Sequence, residues 1–224
     1  MRRLLRKIRN RLFAGLARKE ELNQLYNQFA GLIQIQNAMQ GSSVLRPMRG
    51  WAISPDAMAW ILADLQERES PTVIEFGSGQ STIILATVLK QRGGRLVSVE
   101  HDSGYLGAIQ RQAKACNVTD VITFALAPLV AMSPTCSSYD LTSLPDCSID
   151  LALIDGPPFT NGLLTRLVPL RWATTHLIKG GAIFLDDAAR GNEQECLRQL
   201  RAEFPGINII EYAAEKGLAK LEFI

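Results

Sequence analysis

The 224-residue chain is poor in histidine, scatters its cysteines and contains no long apolar run, and each scarcity removes a class of function. Two histidines, His101 and His176, cannot build a histidine cluster for zinc. The four cysteines, Cys116, Cys136, Cys147 and Cys196, include no C-x-x-C pair. Neither a zinc ribbon nor a disulfide framework is therefore expected, and reduced thiols suit a cytoplasmic setting. No apolar stretch approaches the roughly 18–20 residues of a membrane-spanning helix. Acid is missing from one place only. Residues 1–19 carry eight of the 24 Lys and Arg and no Asp or Glu, which leaves 16 bases against 22 acids, a net −6 for the body. A mildly acidic body has no electrostatic footprint for nucleic acid, which is not expected as a partner.

What remains is an ordinary globular composition, 47% hydrophobic and 21% charged, enough for one sizeable core. Residues 1–45 read as a helical extension and 46–224 as the domain. In the extension Leu4, Leu5, Ile8, Leu12, Phe13 and Leu16 share one helical face, with arginines around the rest. Such a basic amphipathic helix suits peripheral contact with an anionic membrane, self-association, or packing on the body. Arginines interrupt it throughout, which argues against a secretory signal. A helical pattern continues through residues 20–40 until Gly41 breaks it. Ser54 and Pro55 then mark the start of another helix.

The rest is organised around Thr72-Val-Ile-Glu-Phe-Gly-Ser-Gly-Gln-Ser-Thr82: a buried strand ending in an acid, a Gly-x-Gly turn, then a helical pattern. A strand feeding a helix through two glycines lets a ligand approach the backbone and a helix N-terminus. A second strand, Arg95–Glu100, ends in a carboxylate about 20 residues further on, the spacing of a ribose-hydroxyl acceptor in nucleoside-cofactor sites. From residue 72, strands near 72–76, 95–100, 121–125, 149–154 and 181–186 alternate with helices near 80–91, 103–115, 162–178 and 192–203. That pattern predicts a doubly wound, mostly parallel α/β sheet. Ile207–Tyr212 and Leu218–Ile224 are separated by too little chain for a crossover helix, so they must pair antiparallel. Residues 131–148, rich in Ser, Pro and Cys, read as a surface-loop insertion.

Ligands of open α/β sheets bind at the carboxyl ends of the strands. Those ends carry Glu75, Glu100-His101-Asp102, Asp155 and Asp186-Asp187, a convergence that demands compensating cations or donors. Glu75, Gly77, Ser78, Gly79 and Ser81 are candidates for holding a cofactor, and Glu100 for its ribose. His101 is a candidate at the same strand end. Asp155, Asp186 and Asp187 could share one hard divalent cation such as Mg²⁺; alternatively, Asp187 caps the next helix and Asp155 fixes the Gly-Pro-Pro turn. Arg166 and Arg190 could clamp an anion or merely balance these acids, and Trp51 could help cover a pocket.

Together these pieces resemble the class I S-adenosylmethionine-dependent methyltransferases, over roughly residues 50–224. The resemblance rests on Glu75-Phe-Gly-Ser-Gly-Gln-Ser-Thr82, Val99-Glu-His-Asp102, Ile154-Asp-Gly-Pro157, Gly180-Gly-Ala-Ile-Phe-Leu-Asp-Asp187 and the closing strand pair. The loop and the Glu-His-Asp triplet look most like a bacterial subgroup associated with glycan or small-molecule modification. The resemblance implies a seven-stranded Rossmann-like sheet with an antiparallel last strand, S-adenosylmethionine as cofactor, and O-methylation of a small-molecule or glycan acceptor. It places Glu75, Gly77 and Gly79 at the methionine part, Glu100 at the ribose, Ala127 beside the adenine and Asp155 facing the methyl group. Asp155, Asp187 and His101 are the implied catalytic residues, and Asp155, Asp186 and Asp187 are similar to the magnesium ligands of catechol-type O-methyltransferases. Two positions depart from the pattern. Ser81 stands where a third glycine is usual, and Gly156-Pro-Pro-Phe159 leaves no lysine base after Asp155. A nicotinamide-dependent oxidoreductase is the alternative enzyme, disfavoured by that missing glycine and the final hairpin. A non-catalytic binding protein keeping the fold is the alternative from another class.

Overall fold

The computed structural model describes residues 2–41 and 45–223, with side chains from Arg18 onward except Phe159. A single helix, α1 (Arg2–Ala38), is followed by α2 (Pro55–Gln66) and then by the sheet. The elements continue as β1 (Thr72–Phe76), α3 (Gln80–Arg92), β2 (Arg95–Glu100), α4 (Ser103–Ala115), β3 (Ile122–Leu126), β4 (Leu129–Ser133) and β5 (Cys136–Tyr139). The chain closes with β6 (Ile149–Ile154), α5 (Leu167–His176), β7 (Leu177–Asp186), α6 (Gly191–Glu203), β8 (Ile207–Tyr212) and β9 (Leu218–Phe223).

Seven strands form one sheet in the order β3-β2-β1-β6-β7-β9-β8. β1, β2, β3, β6 and β7 are parallel, while β9 runs antiparallel to both β7 and β8. The period-2 alternation of strands explains the two cores. On one face Val73, Leu96, Leu151, Leu153 and Phe184 pack beneath α2, α3 and α4. On the other, Ile74, Phe76, Val99, Ile154 and Leu185 pack against Leu170 of α5 and Leu197 and Leu200 of α6. Because both faces are covered, the strands read as continuous apolar runs.

The end of α1 belongs to the first core: Ile35 and Met39 are fully buried there, each worth about 1.5–3 kcal/mol of burial. Gly31 allows this approach, since a Cβ at that position would sit 2.6 Å from the Pro55 carbonyl carbon and oxygen. The opposite face leaves Leu22, Leu25, Tyr26, Phe29 and Ile33 exposed. The amphipathic pattern read over residues 1–17 lies on side chains outside the described residues. Among the described residues no helix is long and apolar enough to cross a membrane.

Two expectations are corrected. Residues 131–148 are not all loop: β4 and β5 form an antiparallel hairpin apart from the main sheet, with Ser138 and Tyr139 buried. Its Ser- and Cys-rich strands hide their order because burial comes from packing under the 156–166 segment, not from hydrophobic alternation. The helix expected over 162–178 begins only at Leu167. Gly162, at φ +116°, bridges to Cys136, and a Cβ there would strike the Thr135 carbonyl, so the chain is committed to the hairpin before it can coil.

Candidate active site

The order of the central strands sets the position of the site. β1 is flanked by β2 on one side and β6 on the other, so successive connections leave in opposite directions and open a crevice at the carboxyl ends of β1 and β6. Across it the turn after β1 touches the turn after β6. Gly77 has φ +100°, and a Cβ there would lie 2.9 Å from the Gly156 amide nitrogen. Gly156 in turn has no room for a Cβ because the Tyr139 hydroxyl occupies the place. Both glycines are therefore fixed by close backbone approach. Gly79 differs: its φ of −179° suits any residue, and its nearest neighbours would be 3.7 and 3.8 Å from a Cβ. Among the described residues no atom excludes a side chain at Gly79, which leaves space for a ligand at the N-terminus of α3.

Under the loop lies a network of hydroxyls. Thr82 Oγ1 donates to Glu75 Oε2 at 2.6 Å and accepts from the Gly79 amide at 2.8 Å. Ser98 Oγ reaches the same Glu75 oxygen at 3.0 Å and Ser78 Oγ at 2.8 Å. Glu75 is fully buried, and that burial pushes its carboxyl up to about 7 against the pull of the Ser81, Thr82 and Ser98 hydroxyls. Thr82, unremarked in the sequence beyond its place in the motif, ties the strand-end acid to the loop.

Glu100 is 4% exposed, and its oxygens accept backbone N–H groups: Ser78 at 3.1 Å on Oε2, His101 at 2.7 Å and Asp102 at 3.0 Å on Oε1. The carboxylate thus staples the glycine loop to the end of β2 while lining the cavity. His101 Nδ1 lies 2.7 Å from Glu100 Oε1. Asp102 caps α4 by accepting from the Tyr105 amide at 2.7 Å.

Asp155, Asp186 and Asp187 do come together, with one oxygen of each within 4.8 Å of the others. Protein cations already fill the space around them. Arg166, 3% exposed, donates to the backbone carbonyls of Asp155 (2.7 Å) and Asp186 (2.8 Å), and pairs with the carboxylates of Asp187 (3.1 Å) and Asp155 (3.4 Å). Lys216 Nζ lies 3.2 Å from Asp186 Oδ2 and 3.4 Å from Asp187 Oδ1, and Arg190 is 2.6 Å from Asp187 Oδ2. A divalent ion would have to displace a buried guanidinium and an ammonium, so this donor set does not fit one as arranged. Arg166 and Arg190 balance acids here instead of reaching toward a ligand. Burial, then the neighbouring Asp186, hold the Asp155 carboxyl well above the usual carboxylate range; burial likewise raises Asp186. Asp187 does not cap α6, whose N-cap is Arg190. It occupies a left-handed turn at φ 58° secured by these ion pairs.

The crevice is a cavity of about 690 Å³, within the roughly 300–1,000 Å³ range of small-molecule sites. Gly77, Ser78, Gly79, Ser81, Glu100, His101 and Asp155 line it, as does Trp51. Glu75, Ala127, Asp186 and Asp187 are not among its lining residues. Glu75 sits beneath the loop, and Ala127 is buried against the Glu100 carbonyl. The sequence reading missed Arg46, Arg49, Tyr105, Gln112 and Tyr139, all of which line the cavity. Tyr139, 1% exposed, has a hydroxyl with no hydrogen-bond partner among the described residues, and burial holds its pKa well above the usual phenol range, so it keeps its proton.

Residues 74–188, just over half the chain, match a family model described as a methyltransferase domain. No curated protein matches the chain. Among solved structures, an O-methyltransferase from Bacillus cereus in complex with SAH is 18% identical, with a TM-score of 0.59 over 85% of this chain and 90% of that one. The SAH-bound methyltransferase PaMTH1 of Podospora anserina is 16% identical, with a TM-score of 0.60 over 85% and 88%. The O-methyltransferase TomG of Streptomyces achromogenes, in complex with SAM, is 15% identical, with a TM-score of 0.57 over 86% and 89%. At these identities the likeness establishes the fold.

Proposed function

The chain belongs to the methyltransferase-domain family of class I S-adenosylmethionine-dependent enzymes, and from that premise we propose that it methylates a hydroxyl oxygen of a small-molecule or glycan acceptor. The observation that carries this reading is one cavity bringing together the Gly77–Gly79 turn, the Glu100 carboxylate and Asp155. S-adenosylmethionine, when bound, supplies an electrophilic methyl group on a sulfonium sulfur. The chain's own residues do the rest. The Gly77–Gly79 backbone and the α3 N-terminus receive the amino-acid end, and Glu100 accepts the ribose hydroxyls with the lone pairs its amide contacts leave open. Gly77, packed on Gly156, fixes the distance between the cofactor loop and Asp155, which is the alignment an in-line displacement requires. Asp155, made more basic by burial, takes up the proton that the acceptor hydroxyl releases. Arg166 and Lys216 supply the positive charge that a divalent ion would bring to these carboxylates, so turnover needs no added metal.

Calorimetric titration with S-adenosylhomocysteine, in parallel with NADH, tests the reading. Micromolar binding of the first, weakened about tenfold or more in Glu100→Gln, is expected. Preference for NADH, or no binding of S-adenosylhomocysteine, overturns it.

A further inference from the structure

We propose that the acceptor carries an anionic group, a carboxylate or phosphate, recognised by Arg46 and Arg49 on the segment that lines the cavity together with the cofactor loop. The proposal rests on the methyltransferase reading of this cavity. Its lining has two characters. One part, the acidic wall, holds Glu100, Asp102 and Asp155; the other is the segment 46–53, which brings in two guanidiniums and no acid. Both arginines are exposed, and neither makes a hydrogen bond or ion pair with a described residue. The two arginines that the sequence offered as an anion clamp, Arg166 and Arg190, are committed to Asp155 and Asp187. Among the described residues that line the cavity, the Lys and Arg side chains open to a ligand are therefore Arg46 and Arg49.

The segment holds them in place. Met48, between them, is 5% exposed and packs into the first core, and Ile53 is 1% exposed. Lys216 Nζ donates to the Ala52 carbonyl at 3.0 Å, pinning the same segment to the acids at the carboxyl end of β7. Arg46 lies near enough to Tyr105 to oppose the rise that burial, and then Glu100, impose on that phenol. Trp51, 68% exposed, lines the same cavity. A cationic cofactor suits the acidic wall. An anionic acceptor suits two planar donor forks and is repelled from the carboxylates, which orients its hydroxyl end toward Asp155.

The test is calorimetry on the full chain saturated with S-adenosylhomocysteine, using matched probes: 4-hydroxybenzoate against 4-hydroxybenzamide for a carboxylate source, glucose 6-phosphate against glucose for a phosphate source. At least one anion is expected to bind about tenfold tighter than its neutral partner, with the margin shrinking as salt is raised. The margin should vanish in Arg46→Gln/Arg49→Gln and return in part in Arg46→Lys/Arg49→Lys, with cofactor-product affinity unchanged. Three results overturn the proposal. They are no anion outbinding its neutral partner, a preference that survives the double Gln variant, and a double Gln variant that loses S-adenosylhomocysteine itself. The last would assign the arginines to the cofactor's carboxylate. Failure of the wild-type chain to bind S-adenosylhomocysteine instead brings down the underlying methyltransferase reading, and this proposal with it.

Discussion

Replacing Glu75 with glutamine is expected to remove a large part of the pH dependence of folding. The group is fully buried, and its carboxyl rises from 4.5 to about 7 with burial as the main cause. Below about pH 4.5 both the folded and the unfolded chain hold this proton, and the carboxyl imposes no penalty. As pH rises, the unfolded chain releases the proton first while the folded one keeps it, so stability falls through the window and the full cost is present above about pH 7. A shift of that size corresponds to about 3 kcal/mol, a large share of the roughly 5–15 kcal/mol available to a domain. Glutamine keeps an acceptor for Thr82 Oγ1 and Ser98 Oγ but cannot ionise. Urea unfolding of ligand-free wild type and Glu75→Gln at half-unit steps between pH 4.5 and 8.5 isolates the effect. Asp155 and Asp186 are also raised, but they contribute to both proteins and cancel in the difference. Wild-type stability relative to the variant should fall by about 3 kcal/mol across the range. Parallel profiles, or a difference that grows in favour of wild type with pH, would refute the assignment of this proton to Glu75.

Other substitutions test the remaining contacts. Lys216→Met leaves Asp186 and Asp187 short of a cation and should cost about 2–3 kcal/mol in urea unfolding, below the roughly 3–5 kcal/mol of a fully buried broken pair because Lys216 is partly exposed. In wild type, turnover should be indifferent to EDTA; loss of activity that added Mg²⁺ restores would contradict the role given to Lys216 and Arg166. Gly77→Ala meets both an unfavourable φ and the Gly156 backbone, and should lower stability by about 2–4 kcal/mol. Gly79→Ala has no such conflict, so its melting temperature should stay within a few degrees of wild type while S-adenosylhomocysteine binding is lost; retained binding would show that the space beside Gly79 is not used. Gly31→Val drives a side chain into Pro55 and should separate the end of α1 from the core. Thermal unfolding should then fall by several degrees, with new proteolytic cleavage near Ile35 and Met39.

The fold was readable because its signals are local. Apolar runs separated by helical periods, with Gly-x-Gly after the first strand, determine a parallel sheet, and the short link between Ile207–Tyr212 and Leu218–Phe223 forces the antiparallel end. Strand-end position also identified Gly77, Ser78, Gly79, Ser81, Glu100, His101 and Asp155 as neighbours. The rest depends on contacts that no periodicity reports. Tyr139 lies in a Ser-rich hairpin without alternation, yet its hydroxyl fills the place of a Gly156 side chain. Arg46 and Arg49 sit in an irregular stretch whose position is set by the burial of Met48 and Ile53. Lys216, 61 residues from Asp155 in the sequence, reaches the acids only because β9 folds back beside β7.

The strand-end acids, alike in sequence, are separated by what compensates each of them. Glu75 is answered by hydroxyls alone, too weak to hold its charge in full against burial, so near neutrality it carries a proton part of the time. Glu100 is answered by three backbone amides, donors that cannot titrate away, which suits a fixed acceptor at the cavity wall. Asp186 and Asp187 are answered by Lys216, Arg166 and Arg190 and lie outside the cavity lining. Asp155 differs from all of them. It lines the cavity, its carboxylate meets Arg166 only at 3.4 Å, and burial together with Asp186 raises its affinity for a proton. A carboxylate that is accessible, incompletely paired and unusually basic is suited to receive a proton in place. These contrasts support the proposal that Asp155 receives the acceptor's proton, while the cations around Asp186 and Asp187 hold the acids beside it in a fixed arrangement.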